Sequence, residues 1–287
     1  IKKNIYLIGN YELLTKQFKI LKFSTKITKV ENVNGLVSDK SLKIIDIPLN
    51  FRNPFKVPLI NAAKYVTQSL DLAHNLVLKY KIKGIINCPI NKSLIKKSRK
   101  RGVTEFFASK CKVFNNSEVM MIHNKKFSVV PLTTHINLKK VSNSIKREII
   151  IKKVITLDNF FKRLFKRRPK IGVLGLNPHN AEFAQKSEEN LEIIPAIMTL
   201  KRRKFKINGP LVADTIFINN YKKYDVIIGM YHDQVLAPFK SLFKYDAINI
   251  TLGLKYIRVS PDHGPAIELI KKNQANQLSL FQSIKFI

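Results

Sequence analysis

Three histidines stand in equivalent settings. His135 follows Pro131-Leu132-Thr133-Thr134, His179 follows Leu176-Asn177-Pro178, and His232 follows the apolar run that ends at Tyr231. Each comes where a strand-like segment gives way to a polar loop. Imidazoles at the ends of three different strands are a common way to build a zinc or similar divalent-metal site. A lone histidine in such a place is more often a structural or surface group; the repetition favours the ligand reading. Asp214, Asp233 or Asp262 could orient an imidazole from behind.

The stretch from Tyr224 to Arg258 carries the densest chemistry. Val226, Ile227 and Ile228 read as a buried strand, and Gly229 lets the backbone turn tightly. Tyr231, His232, Asp233 and Gln234 follow at its carboxyl end, which is where ligands bind in open α/β sheets. Lys240, Asn249 and Arg258 come next, separated by a second apolar segment, Ile248 to Leu254. An imidazole, an ammonium, a carboxamide and a guanidinium thus sit within one strand–loop–strand unit. That set suits a small anionic substrate held near a metal.

Stepwise along the chain, the pattern predicts strands over Asn4–Gly9, Leu42–Ile47, Gly84–Cys88 and Lys170–Leu176, and a hairpin of Val119–Ile122 with Phe127–Leu132. Helices are expected over Tyr11–Phe18, Asn61–Tyr80, Gly102–Ala108 and Leu138–Phe165, with a C-terminal helix after Ser260–Ile270. His74 lies in the second helix and reads as structural or surface. His123 falls at the hairpin turn, an exposed position. Lys92 ends a small polar turn after a strand and reads equally as a ligand edge or a solvated lysine. Thr104 can cap its helix or point a hydroxyl into a cleft. Strands alternating with helices argue an α/β fold.

Composition narrows the function class. The chain has 287 residues and 45% hydrophobic content, enough for one large domain or two modest ones. Cys88 and Cys111 form no CxxC motif and no disulfide framework, which points to a reducing cytoplasm. No apolar run approaches the roughly 20 residues needed to span a bilayer. The first residues, IKKNIYLIGNYELL, are no signal peptide, and they open almost inside a strand without an initiator Met, as a chain lacking its first element would. The net charge of +33 invites nucleic acid as a partner. The lysines are spread along the whole chain in a Lys-, Ile- and Asn-rich background, so a solvated basic surface is the expected meaning, with attraction of phosphorylated substrates as a secondary effect. No GxGxxG follows the first strand, and neither GxxxxGK[ST] nor HExxH occurs.

The segments PLTTHI, GLNPH, GPLVADTIF, YDVIIGMYHDQ and NITLGLKYIR, followed by DHGPAIEL, occur in this order. The chain resembles the 4-hydroxythreonine-4-phosphate dehydrogenase family from about Asn4 to its end. The resemblance implies two α/β/α lobes flanking a central cleft, as in isocitrate and isopropylmalate dehydrogenases, and a homodimer. The first lobe would take residues 1–100 plus 259–287, and the second, with the metal site and dimer contact, residues 101–258. It implies NAD-dependent oxidation and decarboxylation of 4-phosphooxy-L-threonine to 3-amino-2-oxopropyl phosphate, with zinc, magnesium or cobalt on His135, His179 and His232, one of them supplied by the partner subunit. Thr104, Lys240, Asn249 and Arg258 match its substrate contacts. Asp233 is a candidate proton acceptor by proximity. Neither nucleic acid nor membrane is an expected partner.

The chain departs from the family pattern in three places. The Gly-rich opening GDPxGIGPE is missing. The family's GHTE reads Gly102-Val103-Thr104-Glu105, with Val103 in place of a histidine. The Gly-rich loop after NPH reads Asn180-Ala181-Glu182-Phe183-Ala184. Two alternatives therefore stand beside the first reading: a dehydrogenase of another phosphorylated or carboxylated hydroxy acid, or an inactive basic binding protein on the same scaffold.

Overall fold

A computed structural model of the chain describes residues 4–33, 40–91, 93–96, 102–113 and 117–287. Lys92 lies outside the described residues. The strands are β1 (Tyr6–Gly9), β2 (Ile27–Lys29), β3 (Leu42–Asp46), β4 (Gly84–Ile86), β5 (Val119–His123), β6 (Ser128–Thr133), β7 (Ile171–Leu174), β8 (Ile207–Leu211), β9 (Val226–Tyr231), β10 (Ile248–Leu252) and β11 (Ile257–Pro261). The helices are α1 (Tyr11–Leu21), α2 (Leu59–Lys79), α3 (Ser93–Lys96), α4 (Val103–Lys110), α5 (Val141–Ser144), α6 (Arg147–Phe165), α7 (Ile194–Arg202), α8 (Ala213–Ile216), α9 (His232–Phe243) and α10 (Leu278–Phe286). No helix among them is long and apolar enough to cross a membrane.

The expected mixed α/β architecture is what forms. β1, β3 and β2 make a small parallel sheet. A larger sheet has the order β4-β11-β10-β5-β6-β9-β7-β8. Within it β6, β9, β7 and β8 run parallel, while β5 opposes β6 and β10 opposes β5. β6 and β9 are buried nearly end to end, as strands covered on both faces must be. One face packs on α6 and α7 through Val154, Leu157, Phe161, Ile197 and Leu200. The other carries Ile122, Val129 and Ile227 against Val235, Leu236 and Phe239 of α9. Pro131 sits inside β6, where a missing N–H would break a ladder. The β5 register reaches only Ile122↔Val129 and His123↔Ser128, so that edge of β6 is unpaired where the proline lies.

A third cluster joins Leu70 and Val77 of α2 to Phe106 and Phe107 of α4, with Ile85, Leu254 and Tyr256. His74 is buried there, its Nδ1 2.8 Å from the Tyr256 hydroxyl, and burial holds its pKa below the ordinary value.

Four expectations need correction. The segment from His232 to Phe243 is helix α9, so the unit carrying Lys240 is strand–helix–strand. Pro238 inside it disguises the helix, and burial of Val235, Leu236 and Phe239 overrides the proline penalty. Leu138–Phe165 is not one helix: a 3-10 turn and α5 precede α6, and Lys146 is extended at the break (φ −130°, ψ 138°). The C-terminal helix begins only at Leu278. His123 is not an exposed turn residue; it ends β5 half-buried, bonded to Ser128 Oγ at 2.8 Å, and burial pushes its pKa down to about 4.

Because Phe239 is fully buried and stacked on Phe127 at 6.1 Å, Phe239→Ala is expected to cost about 3–5 kcal/mol. Urea denaturation of the two proteins measures this; a loss under ~1 kcal/mol would mean α9 is not anchored through this ring.

Candidate active site

The parallel order β6-β9-β7 brings three strand ends to one edge of the sheet. Thr133 pairs with Tyr231 at the last register position, so His135 and His232 follow at the same level. Their rings lie 5.5 Å apart, centroid to centroid. Both line a cavity of ≈ 200 Å³ with Thr133, Thr134, Tyr231 and Asp233. His135 turns into this space through a left-handed backbone (φ 40°). Asp233 Oδ1 is 2.6 Å from His232 Nδ1, which orients the ring and leaves Nε2 outward.

His179 follows β7, the neighbouring strand, and is exposed. It does not join the His135–His232 pair: among the described residues no three metal-capable groups gather. Asp214 is exposed in the first turn of α8. The His179 loop has an unusual backbone. His179, Asn180, Ala181, Glu182 and Phe183 all take left-handed angles, with φ of 49, 58, 51, 47 and 58°. L-residues other than glycine lose about 1–2 kcal/mol each in such a run. Just before this run the chain is gripped by a buried carboxylate. Glu189 is fully buried, and its Oε1 accepts from the amides of Leu176 (2.8 Å) and Asn177 (2.9 Å) while Oε2 accepts from Asn177 Nδ2 (3.0 Å). Burial works against its charge, but these donors outweigh it and hold the carboxyl below its usual range. Glu188 bonds to Asn177 and to Ser142, tying this loop to the segment after His135. Sequence reasoning missed both glutamates, because nothing in their spacing marks Glu189 as buried or Glu188 as bonded to a loop.

Beside α9 lies a polar strip on the sheet. Arg258 is 3% exposed. Its Nε donates to Asn87 Oδ1 (2.6 Å), and its Nη1 donates to Thr251 Oγ1 (2.8 Å) and lies 3.4 Å from Thr104 Oγ1. Burial pushes its pKa down to about 10, with Glu105 and Tyr256 opposing. Thr104 and Arg258, 154 residues apart in sequence, thus meet. Asn249 shares the strip, two residues before Thr251 on β10, and its buried Oδ1 has no hydrogen-bond partner among the described residues. Lys240, on α9, forms a loose ion pair with Asp262 Oδ2 at 3.3 Å. Burial pushes the Asp262 carboxyl up, and Lys240 offsets that only in part. Asn87 and Thr251 were not legible in the sequence; they are found only by following Arg258 to its partners.

Two imidazoles facing one cavity, one of them braced by a carboxylate, are a donor set that fits a divalent ion with a third donor still to come. Asn10 caps α1 through Leu13 N (2.8 Å) and donates to Ile47 O (2.8 Å), which ties the turn between β1 and α1 to the end of β3.

Replacing Ala181 (φ 51°) by glycine is expected to stabilise the protein by about 1 kcal/mol, the strain relieved less the unfolded-state entropy glycine adds. Thermal unfolding reads the sign; a lower Tm would mean that Ala181 does not hold this backbone in solution.

A family model described as "Pyridoxal phosphate biosynthetic protein PdxA" matches residues 1–287. The chain is 38% identical over 290 residues to a 4-hydroxythreonine-4-phosphate dehydrogenase from Aquifex aeolicus (strain VF5), covering 100% of this chain and 89% of the relative. It is 31% identical over 256 residues to a D-threonate 4-phosphate dehydrogenase from Pectobacterium atrosepticum, covering 85% and 76%. Its fold is similar to the crystal structure of the 4-hydroxythreonine-4-phosphate dehydrogenase from Klebsiella pneumoniae, with a TM-score of 0.86, 26% identity, and 98% and 88% coverage. A match across the whole chain, with the fold preserved, means that this protein belongs to the pyridoxal phosphate biosynthetic protein PdxA family.

Proposed function

We propose that the chain is an NAD- and divalent-metal-dependent dehydrogenase that oxidises 4-phosphooxy-L-threonine and decarboxylates the product to 3-amino-2-oxopropyl phosphate. The observation that carries this reading is the His135–His232 pair at one cavity edge, in a chain of this family. A bound divalent ion would supply Lewis-acid polarisation of the substrate's hydroxyl and, later, its ketone oxygen. NAD would supply the hydride acceptor. His135 and His232 would hold the ion, with His179 as the third ligand, and zinc, magnesium and cobalt all suit such a set.

The remaining roles fall to groups with unused capacity. Arg258 has spent Nε and Nη1 on the protein, leaving Nη2 for a phosphate or carboxylate oxygen. Lys240 can exchange its loose contact with Asp262 for a more charged partner. Asn249 Oδ1 awaits a donor such as a substrate ammonium or hydroxyl. Thr104 adds a hydroxyl beside Arg258. Asp233, 82% exposed at its side chain, holds the His232 ring and is the nearest carboxylate to take a proton.

A homodimer that completes the site fits the same loops. His179 faces outward, and the large apolar residues beside the histidine loops are uncovered: Leu138 is 70% exposed, Phe183 52% and Leu191 59%. Uncovered apolar side chains of this size suit a protein contact. The two-lobe division, 1–100 plus 259–287 against 101–258, goes with the same reading.

The test is NADH absorbance with 4-phosphooxy-L-threonine, NAD and zinc or magnesium. His232→Ala is expected to lower kcat on the order of 10²-fold or more. Turnover undiminished in that variant would sink the metal role of the histidine.

One observation favours a second reading. Val103, at the first position of α4 beside Thr104, has no hydrogen-bonding side chain where the family carries a histidine. A related phosphorylated hydroxy acid, such as the D-threonate 4-phosphate of the Pectobacterium relative's name, would then be the better substrate. Val103→His is expected to raise kcat/KM for 4-phosphooxy-L-threonine by about 10-fold if the first reading is right. No gain, with the D-threonate ester turned over faster, would select the second.

A further inference from the structure

We propose that Gln234 is a positioning residue that locks the loops of His179 and His232 to each other, an inference that rests on reading those histidines as metal ligands. Its amide is used at both ends. Met230 N donates to Gln234 Oε1 at 2.7 Å, two residues before His232. Gln234 Nε2 donates to Gly175 O at 2.8 Å, four residues before His179. The two partners differ in kind, one a donor and one an acceptor, so the orientation of the amide follows from them. A third strand is drawn in by Thr133, two residues before His135, whose Oγ1 donates to Met230 O at 2.7 Å. A continuous set of bonds therefore links the ends of β6, β9 and β7 just short of the three histidines.

The backbone makes room for this amide. A Cβ on Gly229 would lie 3.0 Å from Gln234 Oε1 and 2.5 Å from Val235 Cγ1. A Cβ on Gly175 would lie 2.1 Å from Asn180 Oδ1 and 3.0 Å from Glu189 Oε1. Both strands reach the clamp through residues that no side chain could replace without displacement. Helix capping explains only half of the arrangement. The bond back to Met230 stabilises the first turn of α9, but the bond to Gly175, 59 residues away in sequence, does nothing for the helix. It acts on the loop that Glu189 grips from the other side. Gln234 thereby determines where the His179 loop leaves the sheet relative to His232.

Two variants separate this role from ordinary packing. Gln234→Leu removes both bonds at similar volume. Gln234→Glu keeps the acceptor for Met230 N and loses the donor to Gly175 O. Hydrogen exchange of the full-length protein without metal reads the loops, and isothermal titration with zinc reads the site. The Gln234→Leu variant is expected to exchange at least 10-fold faster in both 226–233 and 175–184, with Tm within a few degrees of the parent and zinc bound at least 10-fold more weakly. The Gln234→Glu variant is expected to loosen 175–184 alone. Exchange in 175–184 unchanged in both variants, or zinc bound as tightly as before, overturns the proposal. If the leucine variant fails to fold, the glutamate variant decides by the same exchange. If the parent protein binds no zinc, magnesium or cobalt, the metal reading falls on its own, and exchange at 175–184 still decides whether Gln234 couples the loops.

Discussion

Parallel pairing of β6, β9 and β7 is the constraint from which the site follows. Three adjacent strands that run the same way deliver their next residues to the same edge of the sheet. Were one of them reversed, its histidine would emerge at the far edge, a strand length of about 15–20 Å away. Crossover connections keep the strands parallel, α6 leading from β6 to β7 and α7 and α8 onward through β8 to β9; with α6 and α7 on one face and α9 on the other, polar residues are excluded until the strands end. The rest of β6, β9 and β7 is committed to the core.

The edge itself is held by polar groups. Glu189, sealed from solvent, gathers the amides that begin the His179 loop, and Glu188 ties the loop to Ser142. Such a grip is strong because a buried carboxylate without donors would be very unfavourable. Just beyond it run five consecutive left-handed residues, all carrying a β-carbon that disfavours the conformation, least so in the asparagine.

Charge is arranged differently on the strip beside α9. The chain has 52 Lys and Arg against 19 Asp and Glu, yet the basic group at the centre of the strip, Arg258, is buried and bonded to neutral partners. Its guanidinium is bonded to Asn87 and Thr251, while Lys240 on α9 is only loosely paired with Asp262. The surplus of surface lysine adds a long-range field that draws anions toward it, weakened by salt.

The residue order by itself determined the element types wherever a period was unbroken: the apolar strands of the large sheet, helix α2, and the position of each histidine after a strand. The ordered motifs also carried the family, since their residue types do not depend on contacts. Local pattern failed where tertiary burial overrode it. Pro238 concealed α9, whose apolar face outweighs one proline, and the break at Lys146 divides what reads as one periodic run. His123 reads as a turn residue but is half-buried by rings from α6 and α10, Phe165 and Phe286, which are remote in sequence. Only the tertiary structure decided which strands are neighbours, that two histidines rather than three meet within one chain, and that Glu189, Asn87 and Gln234 act on loops tens of residues away. The physical reason is range. Propensity and periodicity are properties of a few successive residues, whereas a hydrogen bond such as Gln234 to Gly175 exists only once the sheet has put its two ends within 2.8 Å.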